Sequence, residues 1–190
     1  MIPHLDLKKL IKDCKKNNFK AQSDLYKLCK DDLFTLCLKY CRNKEDAQDN
    51  LQDVFIEIFS KIKSYKGKGS FEGWMKRITI NKAIDKYKRD KHINIEINND
   101  ILRDTNIDSA ALETIPLNDI LKHIQDLPTQ YRLVFNLFEL DNYTHKDISK
   151  LLKISINTSK SNLHRAKSIL KIKMQKRIFT SSKQMTANEN

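Results

Sequence analysis

The sequence predicts an all-α protein of two small helical domains joined by a flexible linker, the second domain a helix-turn-helix. Three observations predict it. Only three glycines and three prolines occur in 190 residues, too few for the tight turns of a many-stranded β protein. Apolar residues return at helical spacing along both halves of the chain. Charge is also partitioned. Residues 1–89 carry 21 basic and 12 acidic side chains, net +9; residues 90–115 carry 2 and 6, net −4; residues 116–190 carry 13 and 6, net +7. These blocks set the expected boundaries: a first domain over 1–89, an acidic linker over 90–115 and a second domain over 116–175. A Ser/Thr/Gln/Asn-rich tail over 176–190 is expected to be disordered.

Leu7, Leu10, Ile11 and Cys14 recur at i, i+3, i+4, i+7 and predict a short amphipathic helix over 5–17. A second helix is predicted from Ala21 to Tyr40, and a third from Glu45 to Ile62. On the third, Leu51, Val54, Phe55, Ile58, Phe59 and Ile62 form one apolar stripe. Its opposite face carries Asp46, Asp49, Gln52, Asp53 and Glu57, an acidic ridge inside a basic block. Residues 61–89 are the most basic stretch, ten Lys/Arg against Glu72 and Asp85. They open with the loop KSYKGKGS, where Ser70 is the expected N-cap of the helix FEGWMKRITINKAIDKYKR. On that helix Phe71, Trp74, Met75 and Ile78 form one apolar arc and Ile80, Ala83, Ile84 and Tyr87 another, so two faces must be covered. Aromatics and lysines interleaved around a glycine loop suit single-stranded nucleic acid, in which bases stack on rings and phosphates meet cations. The bland alternative is core plus solvated surface, and Trp74, beside Ile78 on its arc, reads first as core.

In the second block Pro116 is expected at the first helical position, with Leu117, Ile120, Leu121 and Ile124 at helical spacing behind it. Pro128 restarts the pattern through Val134, Leu137 and Phe138. The stretch YTHKDISKLLKISINTSKSNLHRAKSILKIK then reads as two helices capped by Thr144 and Ser155 and joined by a turn at Lys153 and Ile154. At 100° per residue Ile156, Leu163, Ala166 and Leu170 point inward, with Ser159 at the edge of their arc. Asn157, Thr158, Lys160, Ser161, His164, Arg165, Lys167, Ser168 and Lys171 point outward. No acid occurs between Asp147 and Glu189, which favours phosphate contact over a plain solvated face. Amino-terminal residues of such a helix reach base edges, so Asn157, Thr158, Ser161 and Arg165 are candidate sequence readers. Lys160, Lys167 and Lys171 are candidate phosphate contacts.

A net charge of +12 points to a polyanion. No run of about 18 apolar residues occurs, which argues against a membrane span, and residues 1–12 lack the apolar block of a secretory signal, so a cytoplasmic protein is expected. Cys14, Cys29, Cys37 and Cys41 lie on helical stretches with no C-x-x-C. Neither a disulfide framework nor a metal site is expected of them. There is no Walker loop, no H-E-x-x-H and no nucleophile motif, so no enzyme and no cofactor is expected. His145 and His164 are expected to meet phosphate or solvent.

Three motifs taken together resemble the sigma-70 family of bacterial RNA polymerase initiation factors, within it the small extracytoplasmic-function (ECF) group. DAQDNLQDVFIEIF, residues 46–59, resembles the family's polymerase-binding helix. Residues 71–89 carry its F-x-x-W-[LM]-x-R-I-x-x-N-x-x-x-D pattern, and LPTQYRLVF with the following helix-turn-helix resembles its carboxy-terminal DNA-binding domain. The resemblance implies that Asp46, Asp49, Gln52 and Asp53 dock on basic helices of the β′ clamp of core RNA polymerase, with the β subunit also a partner. It implies that the minus-10 element is opened and a base of its non-template strand flipped into a pocket near the glycine loop. Lys63, Lys66, Lys68, Phe71, Trp74, Lys76, Arg77, Asn81, Lys88 and Arg89 are the candidate contacts there. It further implies that the helix-turn-helix, with Thr144 and His164 joining the outward residues above, reads the minus-35 element as duplex. The linker is implied to thread near the polymerase active-site channel, and an anti-sigma partner is implied too. The chain departs from the family pattern at Lys153, where a turn glycine is common and a lysine at positive φ costs about 1 kcal/mol. It departs also at Ser159, where Val is usual, and over 144–149, where Glu-Ile-Ala is common. The main rival is a two-domain helix-turn-helix regulator acting without polymerase. A nuclease would need a carboxylate cluster, where Asp46, Asp49 and Asp53 offer only a ridge.

Overall fold

The computed structural model describes residues 4–90 and 116–187, with side-chain surroundings for 7–89 and 116–175. Every regular element among the described residues is helical. The chain divides into two compact units, 1–92 and 93–190. Apart from Asp90, the residues predicted as linker lie outside the described part.

Unit 1 comprises α1 (His4–Lys15), α2 (Phe19–Tyr40), α3 (Lys44–Lys61), a 3-10 turn (Ile62–Ser64) and α4 (Phe71–Asp90). The breaks are set by short polar side chains. Asn17 adopts a left-handed φ of 60°, and Asn18 then caps α2 by accepting from the Ala21 N–H at 3.0 Å. Asn43 caps α3 by accepting from Asp46 N–H, and Ser70 caps α4 by accepting from Gly73 N–H. The helices α2, α3 and α4 pack on one another, with α1 laid against α2. Their shared core includes Leu25 and Leu33, Val54 and Ile58, and Phe71 and Met75. Burying each such side chain contributes about 1.5–3 kcal/mol. Truncating the fully buried Ile58 to alanine would cost about 2–5 kcal/mol. Both apolar arcs of α4 are covered, since Phe71, Met75 and Ile78 on one and Ile80, Ala83, Ile84 and Tyr87 on the other are buried.

Unit 2 comprises α5 (Leu117–Gln125), α6 (Thr129–Phe135), a π turn (Asn136–Leu140), α7 (His145–Leu152) and α8 (Ile156–Ala187). Pro116 is the N-cap of α5 rather than its first helical residue as expected, and Pro128 is likewise the N-cap of α6. Their ψ values of 140° and 137° are extended, and their carbonyls accept the first helical bonds. The π turn widens the end of the predicted Pro128 helix around the fully buried Asn136. Arg132, 2% exposed, ties the α5–α6 turn from inside by donating to the carbonyls of Gln125 at 2.6 Å and Leu127 at 3.1 Å. The longest helix, α8, packs against α6 and α7.

Two sequence expectations need correction here. The final helix, expected to end at about Lys173, continues to Ala187, because no glycine or proline interrupts residues 174–187. Ile156 does not point into the core. It is 43% exposed, since as the first residue of α8 it lies beyond the reach of the packed layer. The inward row is instead Ser159, Asn162, Leu163, Ala166 and Leu170, all buried.

Candidate polymerase and nucleic-acid interfaces

The acidic ridge of α3 separates into two rows. Asp46 is largely covered, its side chain 18% exposed, and holds Arg42 at 2.8 Å and Lys86 of α4 at 3.2 Å. Glu57 likewise holds Lys61 at 2.6 Å and Lys82 of α4 at 3.1 Å. Partial burial by itself pushes the pKa of each carboxyl group up, but the hydrogen bonds and charges of those cations outweigh it and hold both below their ordinary values. Asp46 and Glu57 therefore tie α3 to α4. Asp49, Gln52 and Asp53 form the other row and are exposed. Ile56, 68% exposed, shares their face, four residues after Gln52 and three after Asp53. Sequence reasoning passed over Ile56. The signal was its place outside the apolar stripe.

Around the glycine loop, Gly67 and Gly69 adopt φ of 74° and 80°, which only glycine takes without strain. Tyr65, Phe71 and Trp74 form a ring cluster under the loop, with Phe71 and Trp74 stacked at 5.4 Å and Tyr65 at 5.1 and 5.5 Å from them. Beside it lies a cavity of about 520 Å³ between α1 and the loop, lined by Leu7, Lys8, Ile11 and Lys15 on one side and by Tyr65, Lys66, Gly67 and Phe71 among others on the other. Lys63, Lys66 and Lys68 are exposed along the loop, and Lys76, Arg77 and Arg89 are exposed on α4. Trp74, Asn81 and Lys88 are half-buried. Phe71, 3% exposed, belongs to the core beneath the loop and also lines the cavity.

In unit 2 the turn between α7 and α8 is built from side-chain hydroxyls. Thr144 caps α7 in a capping box with Asp147. Ser149 Oγ donates to the Ile154 carbonyl at 2.7 Å, and Ser155 Oγ accepts from Thr158 N–H at 2.9 Å. Lys153 sits at φ 55°, ψ 48°, the left-handed conformation expected at that position. His145 is half-buried and engaged within the fold. Its ring stacks on Phe138 at 4.4 Å and its Nδ1 lies 2.9 Å from the buried Ser159 Oγ, so α7 and α8 are clasped there. Desolvation and the nearby Lys160 push the His145 imidazole below its ordinary value. Along the outer face Asn157, Lys160, Ser161, His164 and Lys167 are exposed, while Thr158, Arg165 and Lys171 are half-buried. Arg165 Nη1 lies 3.4 Å from the Tyr131 hydroxyl, which steadies the guanidinium from below. Lys167 is held by Glu139 at 2.6 Å, a partner 28 positions earlier that the local pattern did not reveal. Thr144 and Thr158 turn their hydroxyls to the caps.

Residues 25–93 match Sigma-70 region 2, and residues 117–170 match Sigma-70 region 4. The chain is 30% identical over 177 residues to the ECF RNA polymerase sigma factor SigW of Bacillus subtilis, covering 87% of this chain and 95% of that protein. The chain belongs to the ECF group of the sigma-70 family. It is also 27% identical over 146 residues to the ECF RNA polymerase sigma factor SigE of Mycolicibacterium smegmatis, over 74% of this chain and 56% of that protein. Among solved structures, the sigma factor RpoE in co-crystals with the anti-sigma factor NepR from Bartonella quintana shares the fold. The TM-score is 0.52 at 18% identity, over 80% of this chain and 96% of that one. As an ECF sigma factor the protein is a transcription initiation factor, a class that is not catalytic. No helix among the described residues is long and apolar enough to cross a membrane.

Proposed function

We propose that this ECF sigma factor docks on the β′ clamp helices of core RNA polymerase through Asp49, Gln52, Asp53 and Ile56, with Asp46 holding α3 to α4 behind them. The observation that carries the reading is the division of the ridge. Asp46 and Glu57 are neutralised within the fold, while Asp49 and Asp53 stand exposed on a strongly basic unit. Complementary charge on the clamp would speed encounter and fix orientation, and Ile56 would supply apolar contact at the centre. The β subunit is a further contact of the assembled enzyme.

Unit 1 then presents its loop and α4 to the minus-10 element. The cavity between α1 and the loop is large enough for an unstacked base, and Lys63, Lys66, Lys68, Lys76, Arg77, Lys88 and Arg89 follow the backbone of the opened strand. Unit 2 lays α8 in the major groove at the minus-35 element, where Asn157, Ser161 and Arg165 meet base edges and Lys160 and Lys171 meet phosphates. An anti-sigma factor is a further partner of this reading; the Bartonella quintana sigma factor RpoE was co-crystallised with one, NepR. The domain limits 1–89 and 116–175 fit this division of labour.

Electrophoretic comparison on a promoter mapped by in vitro transcription tests the reading. Tight, strand-opening binding is expected only with core enzyme. Specific binding of equal strength by the sigma factor alone at physiological salt would return the protein to the class of polymerase-independent regulators.

A further inference from the structure

The helix α1 lies wholly ahead of residues 25–93, the part of unit 1 matched to region 2. It is nevertheless one wall of the cavity at the glycine loop. Its last-turn residue Lys15 reaches fifty positions along the chain and donates from Nζ to the Tyr65 carbonyl oxygen at 2.6 Å, with the same ammonium 5.7 Å from the centre of the Tyr65 ring. Tyr65 in turn donates from its hydroxyl to the Gly69 carbonyl at 2.8 Å, across the turn. One side chain thus closes the loop 65–69 on itself, and one lysine anchors that side chain to a helix. Gly67 stands between the two anchor points and Gly69 is the second of them; lacking a Cβ, both adopt left-handed φ values and leave this segment freer to rearrange than other residues would.

A charge-assisted hydrogen bond to a backbone carbonyl is among the stronger fixed contacts available to a half-exposed loop. A site that captures a base extruded from a duplex works best when its walls are set beforehand, because ordering a mobile loop at the moment of capture is subtracted from affinity. We propose that Lys15 is a positioning residue for minus-10 strand capture, acting through the Tyr65–Gly69 latch to hold the cavity open, and that α1 is therefore a working part of the promoter-melting module. The proposal rests on the reading of the cavity as the site of an unstacked base. Lys15 is distinguished from Lys66 and Lys68, whose exposed ammonium groups are placed for phosphate: its charge is engaged by a protein carbonyl.

The test uses the full chain reconstituted with core RNA polymerase on a mapped promoter. Opening is read by permanganate reactivity of unpaired thymines and complex affinity is read against salt. Lys15→Met, which keeps the apolar stem, is expected to lower the opened fraction about tenfold with core affinity and the salt slope unchanged, and Lys15→Arg is expected to restore it. Tyr65→Phe, which removes only the hydroxyl latch, should show the same defect, and it carries the test should Lys15→Met fail to fold by circular dichroism. A loss accompanied by a salt slope smaller by about one would make Lys15 a direct phosphate contact and overturn the positioning role. Normal opening in Lys15→Met and Tyr65→Phe, with defects in Lys66→Ala and Lys68→Ala, would overturn the latch while leaving the cavity reading in place. Normal opening in all four variants would overturn both.

Discussion

Replacing Asp46 with asparagine should destabilise unit 1 by about 1–2 kcal/mol at neutral pH, while the same change at Asp49 or Asp53 should cost less than about 0.5 kcal/mol. The difference follows from the two rows of α3. Asp46 holds two cations, Arg42 at 2.8 Å and Lys86 at 3.2 Å, with only 18% of its side chain exposed, and the second pair joins two helices. Each pair is partly solvated, Arg42 more than Lys86, so each contributes about 0.5–1 kcal/mol. The acid also lies in the first turn of α3, where the helix dipole favours it. Trp74 is the only tryptophan of the chain and lies in unit 1 against Phe71 and Tyr65, so urea unfolding followed by its fluorescence reports this unit alone. With a slope of about 1 kcal/mol per molar urea for a unit of this size, the midpoint should fall by about 1–2 M. Asp46 has a carboxyl group held below its ordinary value in the fold. Its contribution is thus complete above the unfolded value and disappears as pH falls through the folded one, so the wild-type and Asp46→Asn midpoints should converge in acid. Equal midpoints at pH 7, or an equal loss in Asp49→Asn, would refute the division of the ridge.

Asp49→Lys combined with Asp53→Lys should abolish core binding in a gel-shift or filter assay while leaving the Trp74 midpoint within about 0.5 kcal/mol of wild type. Arg165→Ala should lose discrimination at one minus-35 position by about 1–3 kcal/mol, whereas Lys160→Ala should weaken all duplexes alike and reduce the salt slope by about one. Lys167→Ala should reduce that slope less than Lys160→Ala, because Glu139 already holds the ammonium. Lys153→Gly should stabilise unit 2 by up to about 1 kcal/mol, less what the more flexible unfolded chain takes back, as measured by hydrogen exchange of the α7 and α8 amides. His145 is held below its ordinary value in the fold, so its unfolded form binds protons more readily; the same amides should lose protection as pH falls from 7 toward 5, and His145→Gln should remove that slope.

Helices and their ends were readable because the signals are local. Ser70, Thr144 and Ser155 are short hydroxyl side chains before apolar-periodic runs, and each caps a helix. The turn at Lys153 was readable locally, but its left-handed conformation was legible only through the family resemblance, in which a turn glycine is common there. What escaped depends on distance along the chain. The partners of Asp46 and Glu57 on α4 lie 40 and 25 positions away, and a helical wheel of α3 alone draws all its acids as one solvated face. Ser159 was placed only at the edge of the inward arc and Asn162 on neither face, because an apolar arc does not reveal polar residues buried beside it. Ser159 also shows that two departures from the family pattern answer one another. Its hydroxyl, where Val is usual, meets the His145 ring that stands where the family's first helix reads differently.

The four cysteines give unit 1 a built-in clock. Cys14, Cys29, Cys37 and Cys41 are all buried with free thiols, and burial pushes the thiols of Cys14, Cys29 and Cys37 up to about 11. Alkylating reagents consume thiolate that they can reach, so the folded protein should be almost inert and modification should proceed at the rate of transient opening. Since residues 42–190 contain no cysteine, the breathing of one half of the molecule is separable from that of the other by mass spectrometry, without any introduced probe.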